Sequence, residues 1–562
     1  IIGESLLWAG IRYLVPHGFF YSTHALRKHD APPSFFFQMP YWEHFGRLAE
    51  RFENILSRFE DTHIDAGILV VEPSPHQPTE EDKRTYEQII NSLVEQHFDF
   101  LMADTDILQS GSVEKGLLKI RDLNVRAVIV PPVGFLEKSL HERLKTFEEN
   151  GIRVLWCETP LNKTNFIDEL SRVTHPALKL QADSGSEKIW LTRRSSGTRK
   201  MWFALNTSSE KIAAEFDIDT NLKEIALNSS DTPLLQKSGD CFQREFSPFE
   251  SILLLETADS NDTPTPPNIS VPVSGEMQFQ PQGPNLLRAY RWQLSIQEEN
   301  GQKLQKSEVP AVPLINQLEA GSFRFAPEIQ EKFGALPDLN LPQMYLRYKF
   351  EFLNRFDGRV ELVMEPDSIQ GEWEICLNDS ASLSAEEFKR TDSHVRGSLG
   401  ADITDHLKTG SNLLCVNSKT DRFEEGLRNP LYLAGDFGVE ADPPALIPPR
   451  RKGQFECYTD NGLPYYSGII DYQKIFNLGE IPEASELLLR FEFQNQFHQA
   501  AMVRFNDGEY HELLWEPRRC LVPAGELQEG ENLMQLRVYT TLIRSFEGEF
   551  FDEENHENRP VC

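Results

Sequence analysis

The chain has 562 residues, too many for a single hydrophobic core, so roughly three to five domains are expected. Its 87 Asp and Glu against 56 Lys and Arg give a net charge of −31, which repels polyanions and removes the electrostatic term that nucleic-acid binding requires; DNA, RNA and anionic membranes are set aside as partners. No apolar run approaches the roughly 20 residues that cross a bilayer, and the opening IIGESLLWAGIRYLVPHG lacks the basic start and cleavage site of a signal peptide, so a soluble cytoplasmic protein is expected.

The first residues read as the inside of a domain. A helix-like stretch with Leu6, Leu7, Trp8 and Ile11 runs into a short apolar strand, Tyr13-Leu14-Val15-Pro16. One helix and one strand cannot bury both their faces, which predicts packing partners upstream in the natural polypeptide or on another chain. Phe45, Leu48, Ala49, Phe52, Ile55, Leu56 and Phe59 then recur at helical spacing between charges and predict an amphipathic helix over 42–59. Apolar runs at Ala66–Val71, Phe98–Met102, Ala127–Val130 and Arg153–Trp156 alternate with helical segments such as 80–97 and 137–150. This pattern predicts a flavodoxin-like doubly wound parallel sheet over 42–177, covered on both faces.

Ligands of such a sheet bind beyond the C-terminal ends of its strands. The turn starting at Glu72 holds no glycine, so neither a phosphate loop nor a flavin site is expected there. Asp104-Thr105-Asp106 follows another strand. It offers two carboxylates to a metal or, the preferred reading, a polar turn that caps the next helix.

From 178 to 256 the spacing changes to period-two strands, such as Lys188–Thr192, Met201–Leu205 and Ser251–Glu256, and predicts a small β domain. Residues 257–270, rich in Pro, Thr and Asp, read as a linker. Two β-sandwich units follow, at 271–445 and 446–562, and they share one order of signals. A paired strand, an Asn-Asp turn (Asn378-Asp379, Asn506-Asp507) and a closing L-x-x-G-x-N-L (Leu407 to Leu413, Leu527 to Leu533) occur in both. This order resembles the galactose-binding-like jelly rolls of carbohydrate-active enzymes. The seven cysteines are widely spaced without a C-x-x-C pair and read as reduced, mostly buried thiols.

Tyr13-Leu-Val-Pro-His17-Gly-Phe-Phe-Tyr21-Ser22, followed by Arg27-Lys-His-Asp30-Ala-Pro-Pro33, resembles the end of the catalytic (β/α)8 barrel of α-L-rhamnosidase-type glycoside hydrolases, family 106 and its relatives. Arg428–Gly438, Tyr465–Gly468 and Leu514–Pro517 resemble segments of their C-terminal sandwiches, so the likeness covers nearly the whole chain. It implies that residues 1–41 close a barrel, that the chain is the C-terminal part of an enzyme cleaving α-L-rhamnoside-like bonds in plant or bacterial polysaccharides or glycosides, and that an N-terminal catalytic half or upstream subunit is the partner.

A strand ending in Pro-His beside aromatics suits a barrel mouth that holds a sugar. His17 is the candidate for bonding a sugar hydroxyl and Tyr21 for stacking on the ring, against a structural histidine at a strand end. Arg27 and Asp30 are candidates for clamping hydroxyls, against a loop salt bridge. Glycoside hydrolysis needs two carboxylates, about 6.5–9.5 Å apart for inversion, and the resemblance places that pair on barrel segments preceding the Pro-His strand. Glu4 is the only carboxylate before His17 and sits on a helix; the catalytic residues are therefore left unassigned. No cofactor is evident, and calcium is implied only by family analogy. The alternative is a non-catalytic carbohydrate-binding or scaffold protein, for which Trp373 and Trp515 are candidate sugar platforms, against core packing.

Overall fold

In the computed structural model the described residues are 2–23, 34–72, 79–132, 136–227, 233–238, 241–258, 266–299, 301, 303–314, 317, 343–378, 381–422, 425–494, 497–546, 549–552 and 557–560. Four short strands, Ile68–Val71, Phe100–Ala103, Ala127–Val130 and Arg153–Trp156, run parallel with 68–71 and 127–130 in the middle. Successive side chains alternate between faces. Ile68, Val70, Ala127 and Ile129 pack with Ile89, Leu93, Phe166 and Leu170 of helices Glu80–Glu95 and Lys163–Ser171. Leu69, Val71, Val128 and Val130 pack on the other side with Leu108, Leu140, Leu144 and Phe147 of helices Thr105–Ser110 and Lys138–Glu149. Burial on both sides is why these strands read as unbroken apolar runs. Asp104 accepts a bond of 2.8 Å from the Ile107 amide and caps its helix, so the capping reading of that turn holds.

Helices α1 (Ile2–Trp8) and α2 (Phe45–Phe59) lie elsewhere. Leu7, Ile55 and Phe59 cover Met201, Phe203 and Leu253 on the outer face of a five-stranded antiparallel sheet, so α2 packs on the small β domain rather than on the parallel sheet. That sheet faces a second one of four strands across a core of Leu191, Trp202, Phe216 and Phe246. The strand expected at Tyr13–Pro16 is absent: residues 11–20 have no regular structure, and Tyr13 and Val15 are almost fully exposed. No strand among the described residues pairs with this segment, so no ladder holds it extended and its exposed amides are left to water. The described part of residues 1–41, for which a barrel end was anticipated, thus shows no barrel strand.

The last two units are nested rather than consecutive. Strand Asn268–Val273 pairs in parallel with Glu486–Phe493, and Glu276–Pro281 pairs with Ile469–Leu478. Residues 268–281 therefore belong to the final sandwich, and 285–447 form a second sandwich inserted into it. This moves the boundary expected at 271: residues 268–281, read as the end of the linker and the start of the first sandwich, belong to the last one, while the boundary expected at 446 shifts by only two residues. Period-two alternation reveals a strand but not the sheet it joins.

The duplicated motif is built identically in both units. Asn378 takes a left-handed φ of 56°, donates to the His406 carbonyl and Asn412 Oδ1, and accepts from the Leu413 amide. Asn506, at φ 51°, makes the same three bonds with Glu526, Asn532 and Leu533. Asparagine suits this corner because it tolerates the left-handed region and its amide both donates and accepts.

Buried ions join the units. Arg244 lies between Glu224 (3.0 Å) and Glu250 (2.5 Å), and Arg519 of the final sandwich reaches the same Glu250 at 3.2 Å. Asp99, at the start of a parallel strand, accepts from the Thr192 hydroxyl at 2.9 Å and the Arg193 amide at 3.1 Å, tying the α/β unit to the small β domain. Among the described residues no helix is long and apolar enough to cross a membrane.

Arg244→Met leaves two buried carboxylates facing each other and is expected to cost about 3–5 kcal/mol in chemical denaturation. Burial pushes the Asp99 carboxyl from its ordinary 3.8 up to about 7, and the Arg193 and Thr192 bonds only partly oppose this. Folding therefore favours the protonated acid: its stability is complete below about pH 4 and is lost as pH rises through about 7. Asp99→Asn keeps the acceptor and removes the charge. It is expected to stabilise by roughly 2–4 kcal/mol at pH 8 and to have little effect near pH 4, as read by thermal melts across pH.

Candidate functional site

The segment carrying the sequence-derived candidates is held at its two ends. Arg12 donates to the Thr62 carbonyl at 2.6 Å. Phe19 sits in an aromatic knot with Phe35, Phe36, Trp42 and Phe45, at ring separations of 5.0–6.0 Å. His17 is exposed, with its ring 6.5 Å from that of Phe20. Tyr21 is 87% exposed, with its ring 5.9 Å from Phe36. Both therefore stand free to meet a ligand, although the structure does not bring them into one pocket. Arg27 and Asp30 lie outside the described residues.

Between this segment and helices α1 and α2 runs an open groove of about 1370 Å³, lined by apolar residues including Leu6, Ile11, Val15, Phe45 and Phe52. Its outer lip is Tyr13 and Val15, 88% and 89% exposed. Apolar side chains of this size, contiguous and open to water, mark a surface built to be covered. The floor is close-packed, since a Cβ on Gly3 would lie 2.3 Å from the Phe52 ring.

Glu4 is not a free acid beside this groove. Burial works to raise its pKa, but the Arg51 guanidinium at 2.7 Å and the Ser251 hydroxyl at 3.0 Å outweigh it and hold the carboxyl below its usual range. Glu4 is thus an ionised tie between α1, α2 and the small β domain.

A second polar cluster escaped the sequence reading. Glu365 and His394 face each other at 3.6 Å in the inserted sandwich, both almost completely buried, and the His394 ring lies 4.2 Å from that of Tyr432. Burial, reinforced by the Glu365 charge, drives the Tyr432 hydroxyl far above its usual range. The segment following the Pro-His motif reaches this area: Phe37 lies 5.5 Å from the Arg396 guanidinium, and Met39 packs with Val395, Leu542 and Phe546. Glu365, His394 and Tyr432 are far apart in sequence and share no motif, so only the sheet register could unite them. Closed off from solvent, the cluster ties elements together and has no access to substrate.

Neither tryptophan is a free sugar platform. Trp373 is half-buried with its ring 6.2 Å from Phe388, packed on the core of the inserted sandwich. Trp515 lies 5.3 Å beneath the Arg51 guanidinium, at the contact between α2 and the final sandwich.

No protein-family profile and no curated protein matches the sequence. Among solved structures, the chain is similar to a rhamnosidase from Novosphingobium sp. PP1Y, with 11% identity over 71% of this chain and 41% of that one and a TM-score of 0.30. It is similar also to a GH42 beta-galactosidase from G. stearothermophilus, with 11% identity over 38% and 43% and a TM-score of 0.27. A b-glucuronidase from Ruminococcus gnavus gives 13% identity over 48% and 41% and a TM-score of 0.19. The chain spans less than half the length of each of these three proteins.

The Tyr432 hydroxyl is buried without a hydrogen-bond partner among the described residues. Tyr432→Phe is therefore expected to leave thermal stability unchanged or to raise it by up to about 1 kcal/mol, because an unsatisfied buried hydroxyl costs more than it returns.

Proposed function

We propose that this chain is the accessory region of a glycoside hydrolase acting on α-L-rhamnoside-like bonds, and that a catalytic (β/α)8 part docks in the groove beside residues 11–16 and supplies the acid and base. The observation that carries the reading is the open apolar groove, whose lining residue Pro16 directly precedes His17. A docked barrel would cover Tyr13 and Val15 and draw His17 and Tyr21 to the edge of its mouth, where a sugar hydroxyl and a sugar face need a polar group and an aromatic ring. In this arrangement His17 and Tyr21 position substrate, with Arg27 and Asp30 as further hydroxyl contacts, while bond cleavage belongs to carboxylates of the docked part. The free thiols of all six described cysteines accord with a reducing cytoplasm as the place of action.

The test is hydrolysis of an aryl α-L-rhamnoside by this chain alone and after adding the polypeptide encoded immediately upstream of it. Turnover is expected only in the mixture. Val15→Asp, which places a charge on the groove lip without touching a core, is expected to lower it at least tenfold. Turnover by the chain alone would overturn the assignment of acid and base to a partner, and absence of turnover in both would overturn the enzymatic reading.

A further inference from the structure

The inserted sandwich carries a second polar surface, on the outward face of its eight-stranded sheet. Strand Met344–Asn354 runs through the middle, with Leu346, Tyr348 and Phe350 facing the core. Its alternate residues face outward. The register aligns Gln297, Tyr345, Lys419 and Glu372 in one row across four strands, and Ser295, Arg347, Asn417 and Glu374 in the next. The two rows line an open trough of about 710 Å³.

Three features of this trough point to its ligand. First, Tyr345 is 48% exposed in mid-sheet, with Lys419 Nζ 6.0 Å over its ring, and a planar ring this exposed gives sugar C–H bonds a surface to stack on. Second, the Gln297 amide and the Ser295 hydroxyl flank it, able to donate to and accept from sugar hydroxyls, and the Asn417 amide oxygen adds an acceptor while its nitrogen is held by Glu374. Third, the trough is positive although the chain as a whole carries −31. Lys303, Arg347, Lys349 and Lys419 line it against the carboxylates of Glu372 and Glu374. Both carboxylates are already engaged, Glu372 by Lys419 at 3.8 Å and Glu374 by Asn417 and Ser382 at 3.1 Å each. Lys303 and Lys349 have no ion-pair partner among the described residues.

We infer that this trough binds an anionic oligosaccharide, with a sugar ring stacked on Tyr345 and a uronate-type carboxylate met by Arg347 and the neighbouring lysines. A guanidinium is suited to a carboxylate because its N–H groups match both oxygens. The site is independent of the hydrolase reading: binding is measured on this chain alone, without turnover, so either proposal can fail without the other.

The test is titration calorimetry of the intact chain with short oligogalacturonates and with alginate oligosaccharides. Binding of at least one, with a Kd on the order of 0.1 mM, is expected. The methyl-esterified form of the bound sugar keeps the rings and loses the charge, polyacrylate keeps the charge and loses the rings, and each is expected to bind at least tenfold more weakly. Tyr345→Ala, on the solvent side of the sheet, is expected to weaken binding at least tenfold with an unchanged melt. Bound sugar is also expected to slow alkylation of the half-buried Cys376, on the same face, as read by peptide mass spectrometry. Equal binding of the methyl ester or of polyacrylate, unchanged affinity in Tyr345→Ala, or no binding of either uronate at millimolar concentration would overturn the inference.

Discussion

Arg244, enclosed by Glu224 and Glu250 and almost wholly removed from water, is the constraint around which the molecule is assembled. A buried ion pair contributes little net stability, because desolvation cancels much of its attraction, yet removing one member leaves an uncompensated charge. Such a cluster therefore tolerates one arrangement of its neighbours. Glu250 also receives Arg519 from the final sandwich, and Ser251, the next residue, bonds Glu4 and Arg51 from the two N-terminal helices. Two adjacent residues, Glu250 and the first residue of the strand Ser251–Thr257, thus fix three separate parts of the chain. The contact between α2 and the final sandwich continues through Arg47 with Glu512 at 2.7 Å and Arg51 over Trp515.

The nesting of one sandwich within another has a related consequence. Because strands 268–273 and 276–281 precede the insertion while their partners at 469–478 and 486–493 follow it, the final sandwich cannot close until the chain has returned from residue 447. Such pairings carry a large loop-closure cost, whereas the inserted unit closes on its own strands. The shared asparagine corners serve both units in the same way, pinning a left-handed turn to the G-x-N segment that opens a long strand.

What the sequence made legible follows from the range of each signal. The parallel sheet was readable because its four apolar runs and intervening helices are consecutive, and α2 because its stripe is amphipathic over a full 15 residues. The target of α2 was not readable: Met201, Phe203 and Leu253 alternate with residues of an equally buried inner face, so nothing local marks the outer face as covered. The asparagine corners showed as a repeat, since a left-handed turn restricts residue type. The membership of strands 268–281 did not, since alternation carries no partner identity. Of the candidate site, His17 and Tyr21 were singled out by aromatic clustering beside Pro-His, and the structure shows both of them exposed. The Glu365–His394–Tyr432 cluster depends on register between distant strands, and the row through Tyr345 and Lys419 likewise appears only when strands are laid side by side.

The groove and the trough differ in chemistry, and that difference sets what each can hold. The groove is an apolar cleft with Tyr13 and Val15 exposed at its lip, and a protein docked there as proposed would stay, since uncovering it returns apolar area to water. The trough is polar, positive and open, its hydrogen-bonding groups hydrated when empty. A glycan bound there as proposed would trade water for protein hydrogen bonds at small net gain and leave readily. They also lie on different units, the groove on the N-terminal helices and the trough on the inserted sandwich. A permanent protein contact at one and an exchangeable glycan at the other would let the same chain hold a catalytic part in place and bring polymer to it, with the buried ions around Glu250 keeping the intervening units in one arrangement.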